Sequence, residues 1–309
     1  MATLKGQNLR ILASAFDGSS YAVIGMSTTC TVTLTNNTES EETKDDVGLA
    51  AKPGVVSKAW SVQVDSLNVL NAAAMLTAIK NMQKVEIMWD EVGTSDNQTP
   101  VTGTGAAAYA RKGQAYLSDL TISFNDRENA AKNLQFVGAS PLEVIPRTST
   151  TYEVLDPGSY TKGQFVRLFL GSDNTTTPAK VIAYAKQLQL HVSLQMEDAT
   201  TKDTEGNWQI QEPTGLSYDI TSNALVRGGD AISSQVQAQG LSEVEAIFEA
   251  GTPVKFQIAN VSGRNNRTKG AVIVSGSVIV SQLTINAQNR QNATYDTQLN
   301  GYGEYTVGA

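Results

Sequence analysis

A single cysteine and a single histidine among 309 residues remove most of the familiar site chemistry. Cys30 alone rules out an internal disulfide. Its alternation with Val32 and Leu34 reads as a small buried apolar side chain, not a reactive thiol. A Ser-His-Asp or Cys-His arrangement would have to use His191, which falls on the polar side of an alternating stretch, where an exposed or interface histidine is expected. There is no HExxH and no Cys/His cluster, so no catalytic residue, metal or cofactor is assigned. Residues 263–270 superficially resemble a phosphate loop but lack the Gly-Lys-Ser/Thr order and open onto a strand. They read as a basic turn offering Arg264, Arg267 and Lys269 to an acidic neighbour. Glu41 and Glu42 lie in a polar stretch where nothing would raise a carboxyl pKa for general acid work.

Long apolar runs are also missing. The longest, residues 271–280, is interrupted by Ser275, Gly276 and Ser277, so no membrane span or membrane partner is expected. The opening Met-Ala-Thr-Leu-Lys-Gly lacks a signal peptide's apolar core, giving an expectation of a soluble chain, intracellular at synthesis. Aromatics are scarce at 6% and charged residues make up only 17%, while the 40% hydrophobic share suffices for packed cores. The net charge of −7 is spread evenly and argues against a surface that wraps duplex DNA. It leaves room for a surface that DNA slides past.

What the sequence does hold is a repetition. Shifting residues 118–138 by 163 places gives nine identities in twenty-one positions: Ser118, Leu120, Thr121, Ile122, Arg127, Asn129, Ala130, Gln135 and Gly138. Chance would give roughly one or two at ordinary composition. Upstream, Trp60-Ser61-Val62-Gln63 to Leu67 aligns with Tyr218-Asp219-Ile220-Thr221 to Leu225 at an offset of 158, and Thr43-Lys44-Asp45 aligns with Thr201-Lys202-Asp203. The expected organisation is therefore an N-terminal arm (1–20), a first module (21–139), a linker (140–164) and a second module (165–309).

Apolar and polar residues alternate at 30–34, 60–64, 85–87, 120–124, 188–194 and 254–258, which predicts many antiparallel strands with one buried face. Each module also carries one predicted helix. In the first, Ser66 caps a segment running to about Lys80, with Val69, Ala72, Ala73, Leu76 and Ile79 on one face. In the second, Ser242 and Glu245 form a capping box, Val244, Ile247 and Phe248 face the core, and Gly251 ends the helix. The fold class is mostly β, α+β in detail: two tandem sandwich or barrel modules, each with one α-helix. Residues 39–54, 197–206 and 91–105 read as projecting loops. The linker's Val144, Tyr152, Val154 and Leu155 suggest that it packs against something.

Leu-Thr-Ile, about six polar residues, Asn-Ala-Thr-Tyr and then Gly-Tyr-Gly (283–303) resembles the closing strands of the tail tube, or major tail, proteins of long-tailed phages. Ile182-Ala183-Tyr184-Ala185, the strand to Leu194 and then Thr201-Lys202-Asp203 resemble that family's opening strand and stacking loop. Pro53-Gly54 followed by Trp60-Ser61-Val62-Gln63-Val64-Asp65 resembles the strand after that loop. The resemblance covers most of both modules and rests on the order of loose motifs. It implies a virion tail protein of siphovirus type that forms trimeric, pseudo-hexameric rings. These would stack into a tube, meet other tail proteins at its ends, and pass double-stranded DNA without specific binding. It also implies ring-stacking contacts at Glu39, Glu41, Glu42, Lys44, Asp45 and Asp46, and at Glu197, Asp198, Lys202 and Asp203. Three other roles stay open: the inner tube of a contractile tail or a tail-completion protein, a double β-sandwich virion adhesin, and an enzyme.

Overall fold

The alternating stretches become long antiparallel strands in a computed structural model of the protein, which describes residues 6–14, 21–24, 27–43, 45, 51–67, 72–92, 110–144, 153–155, 161–226, 238–263 and 268–308. In the first half the elements are β1 (Leu9–Ser14), β2 (Tyr21–Ile24), β3 (Ser27–Ser40), β4 (Pro53–Ser66), α1 (Ala72–Lys80), β5 (Lys84–Glu91), β6 (Arg111–Asn125), β7 (Ala131–Gly138), β8 (Glu143–Val144) and β9 (Glu153–Leu155). The second half holds β10 (Val166–Leu170), β11 (Lys180–Ile182), β12 (Ala185–Asp198), β13 (Gln211–Leu225), β14 (Ala238–Gln239), α2 (Leu241–Ala250), β15 (Val254–Asn260), β16 (Val272–Asn286), β17 (Thr294–Gly301) and β18 (Thr306–Val307). The protein is mostly β, and no helix among the described residues is long and apolar enough to cross a membrane.

The strand pairings of the two halves follow one scheme. β1 joins β2 and β5 as β10 joins β11 and β15. β3–β4, β4–β7, β5–β6 and β6–β7 correspond to β12–β13, β13–β17, β15–β16 and β16–β17. The short antiparallel pair β6–β8 has its counterpart in β16–β18, and β2 and β11 each gain a short parallel partner, but from different places: β9 follows β8, whereas β14 precedes α2. Fine detail recurs as well. β6 bulges at Ser118 and β16 at Ser281, and each hydroxyl donates to the carbonyl opposite, Gln135 or Gln298, at 3.1 Å. The turns that follow carry Arg127 and Arg290 with left-handed backbone, φ 68° and 62°.

One pairing ties the halves together. β6 runs antiparallel to β12, with Leu120 opposite Val192 and Ile122 opposite Leu190. A single buried cluster extends through both halves, from Trp60, Val62 and Phe136 to Leu190, Ile220 and Tyr305. Burial at period two explains it: within the strands every second residue removes apolar surface from water, roughly 25 cal/mol per Å². Helix α1 lies over this junction, and the Tyr305 hydroxyl donates to the Leu76 carbonyl at 2.7 Å.

Several sequence expectations need correction. Within the expected N-terminal arm, Leu9–Ser14 is a strand that pairs on both sides and buries Ile11, Leu12 and Ala13. Ser66, expected to cap a helix, is the last residue of strand β4, and α1 spans Ala72–Lys80, a run of strong helix formers. The start of α2 is capped by Gly240, whose N–H donates to Glu243 at 2.8 Å, so the box formed by Ser242 and Glu245 does not occur. Gly251 does end α2, with φ 60°. Phe248 is exposed, while Val244 and Ile247 are buried. Cys30 is half-buried on an edge strand, and burial is the main cause that pushes its thiol pKa up. Within the expected linker, β8 and β9 are sheet strands, although Val144 is exposed.

Candidate functional site: a polar wall with two open edges

Eight strands form a continuous antiparallel ribbon in the order β3-β4-β7-β6-β12-β13-β17-β16. One face is packed: Trp60, Val62, Val64, Leu134, Phe136, Leu120, Ile122, Leu190, Val192, Ile220 and Leu299 are all buried. The opposite face is a wall of hydroxyls, amides and carboxylates, because the alternate residues of every strand are polar. Its acids include Asp65, Asp119, Asp219 and Asp296.

Each acid is held by a neighbour. Asn133 donates to Asp65 at 2.5 Å, and Thr29 donates to the same carboxylate. Asn223 and Asn286 donate to Asp296 at 2.6 and 2.7 Å. His191 sits where the halves meet, its Nε2 2.6 Å from Asp119 and its Nδ1 2.8 Å from Asp219. Partial burial pulls the imidazole pKa down. The hydrogen bonds and charges of the two aspartates outweigh it, so the pKa lies above 6.5. The expected interface histidine is therefore an ionic bridge between strands of both halves. Nothing in the sequence signalled its partners, which lie 72 and 28 residues away.

Among the described residues the ribbon ends in two edges with no further strand beside them, β3 on one side and residues 282–286 of β16 on the other. Leu34 and Ile285 stand exposed on them. Two long hairpins project from the same ribbon. Glu39 lies in the arm of β3 opposite Gly54, and Glu41 N–H bonds the Lys52 carbonyl, so the first hairpin is longer and its loop shorter than the sequence suggested. Glu42 takes the Lys52 N–H at 3.3 Å, and Asp45 lies in the turn. Lys44 and Asp46 lie outside the described residues, as does all but the start of the 91–105 loop. In the second hairpin Glu197 and Asp198 are strand residues and Lys202 and Asp203 form the turn. Asp198 accepts from the Thr200 hydroxyl and N–H and from Gln209, which holds its pKa down.

Arg264 and Arg267 lie outside the described residues. The Lys269 ammonium donates to Pro178 O at 2.9 Å and Gln257 Oε1 at 2.5 Å. Among the described residues no group of three or more His, Cys, Asp or Glu side chains is placed to hold a metal ion.

The fold and this wall are those of a β-rich chain with one polar sheet face. Residues 163–307 match the model of a family described as phage tail tube protein. Similar solved structures include the tail of an empty gene transfer agent particle (16% identity, TM-score 0.38, covering 48% of this chain and 99% of that one). The virion of a native gene transfer agent particle (14%, 0.35, 48% and 99%) and the SPP1 tail tube (15%, 0.35, 48% and 78%) are also similar. No curated protein matches.

Proposed function

We propose that the protein is the major tail tube subunit of a long-tailed phage of siphovirus type. It carries two copies of one tube module, assembles as trimeric, pseudo-hexameric rings, and forms by their stacking the conduit for DNA ejection. The observation that carries this reading is the eight-strand ribbon, with one packed face, one polar face and two open edges. Open edges of this length are an aggregation hazard in a monomer and are removed when a barrel closes. Three such ribbons would give 24 strands, beyond the about 16–18 at which barrels already leave an aqueous channel. The family match over residues 163–307 supports the role, and the matching pairing schemes support the duplication.

In such a ring the polar wall lines the channel. Its aspartates repel phosphate, and its amides and hydroxyls offer no cationic anchor, so duplex DNA passes without being held. The hairpins bearing Glu39, Glu41, Glu42 and Asp45, and Glu197, Asp198, Lys202 and Asp203, reach the adjacent ring. They differ in sequence, so stacking is three-fold. The role is structural, with no turnover, and other tail proteins meet the tube at its ends.

Negative-stain electron microscopy of the purified protein, viewed end-on, tests the reading. Hollow rings or tubes with three-fold features are expected. Dispersed monomers at high concentration, even with tail-tip components added, would overturn it.

A further inference from the structure

The junction inside the chain is a template for a junction between chains. We infer that the β3 edge of one chain receives the β16 edge of a second copy, antiparallel, with Leu34 opposite Leu283 and Val32 opposite Ile285. This rests on the tail tube reading above and specifies the contact it needs.

The register comes from the internal pair. On β6 and β12, Leu120 faces Val192, Ile122 faces Leu190 and Phe124 faces Leu188. The sequence offsets carry β6 to β16 by 163 places and β12 to β3 by 158 in reverse. Leu283, Ile285 and Ala287 thus fall opposite Leu34, Val32 and Cys30. Strand direction agrees: an even number of antiparallel strands leaves β3 and β16 running oppositely, as the seam requires.

Exposure marks the same surface. Ile122 and Val192 are 0% exposed at the internal junction, whereas their counterparts Ile285 and Leu34 are 50% and 62% exposed. The helices repeat the contrast. The left-handed residues that end them, Met82 and Gly251, align α1 with α2 and place Ile79 at Phe248. Ile79 is 1% exposed in a helix packed against β12 and β18, while Phe248 is 43% exposed. The first-half counterparts of β12 and β18 are β3 and β8, and β8 carries the exposed Val144. Leu34 and Val144 therefore belong to one mating surface, and Ile285 and Phe248 to the other. Both contacts arise together when the second half of one chain meets the first half of the next.

The two kinds of seam differ in polarity. The internal seam carries His191, Asp119 and Asp219 on its polar side. At the matching places the outer seam has Thr33, Gln282 and Ser61, all neutral.

Disulfide trapping reads the register directly. In a Cys30→Ser background, the pair Leu34→Cys and Leu283→Cys is mildly oxidised after ring assembly and run without reductant. Chains joined into dimers and closed trimers are expected. The pair Leu34→Cys and Thr284→Cys, one residue out of register, should give none, since the slip puts the second thiol on the other face. In the native background, Ala287→Cys should join Cys30 of another copy. Rings seen by microscopy together with cross-linking only by the slipped pair, or by neither, would overturn the register and leave the tube reading standing. Absence of rings for the parent protein overturns the tube reading itself. Phe248→Glu and Ile285→Asp, which are surface changes in the single chain, should abolish rings while leaving circular dichroism unchanged. Intact rings from both would overturn the surface.

Discussion

Asn133 donates to Asp65 across the β4–β7 pair, and Asn223 donates to Asp296 across β13–β17. By register these are the same site with acid and amide exchanged between strands. The bond matters more than which strand supplies its charge. A single Asp65→Asn change removes the charged acceptor, at a cost of about 1 kcal/mol. Asn133→Asp sets two carboxylates opposite each other and should cost more, about 1–2 kcal/mol. The double exchange should regain most of the loss, as the second half already demonstrates. Denaturant unfolding of the four proteins as a double-mutant cycle measures this, and additive losses would count against it.

His191 makes the internal seam sensitive to pH. Its pKa is raised in the folded protein, so its contribution is fully present below the unfolded value of 6.5 and is lost as pH rises through the folded value. The difference in melting temperature between the parent and His191→Gln should therefore be largest in mild acid and shrink above neutrality. A difference that stays constant from about pH 5 to pH 9 would refute the bridge.

Gly138 and Gly301 make room for equivalent aromatic rings. A Cβ on Gly138 would lie 2.4 Å from Trp60 Nε1, and one on Gly301 would lie 2.6 Å from Tyr218 Cε1. Neither ring is free to move, since the Trp60 indole donates to Ser140 O and the Tyr218 hydroxyl to Ser277 O. Alanine at either position should cost about 2–3 kcal/mol by overpacking. At Gly303, with open space but φ of 74°, the backbone penalty alone applies, about 1 kcal/mol. Chemical denaturation ranks the three.

Removal of residues 41–51 should leave rings and stop their elongation, because the ribbon edges lie outside the deleted tip. Electron microscopy of the deletion protein checks this. Unchanged full-length tubes would show that this hairpin does not join rings.

Strand content was legible because period two survives in every long strand, from residues 30–34 to 254–258. β1 was missed: Leu9–Ser14 buries four consecutive residues, Ile11, Leu12, Ala13 and Ser14, and so shows no alternation. The cap of α2 was misplaced because a glycine backbone and Glu243 do the work that Ser242 was expected to do. Phe248 fits the helix period, yet period alone does not say whether the wall it faces lies in the same chain. The His191 bridge and the exchanged Asp65 and Asp296 sites depend on strand register, which only the folded sheet supplies.

Tyr305 and Leu76, 229 residues apart, share the hydrogen bond that seats α1. Helix α1 packs on β6 of its own half, but its hydrogen bond to Tyr305 can form only after residue 305 has been made. Contacts of such separation are slow to form, so Tyr305 acts as a late clasp on the helix. A chain truncated before Tyr305 would lack this hydrogen bond to α1.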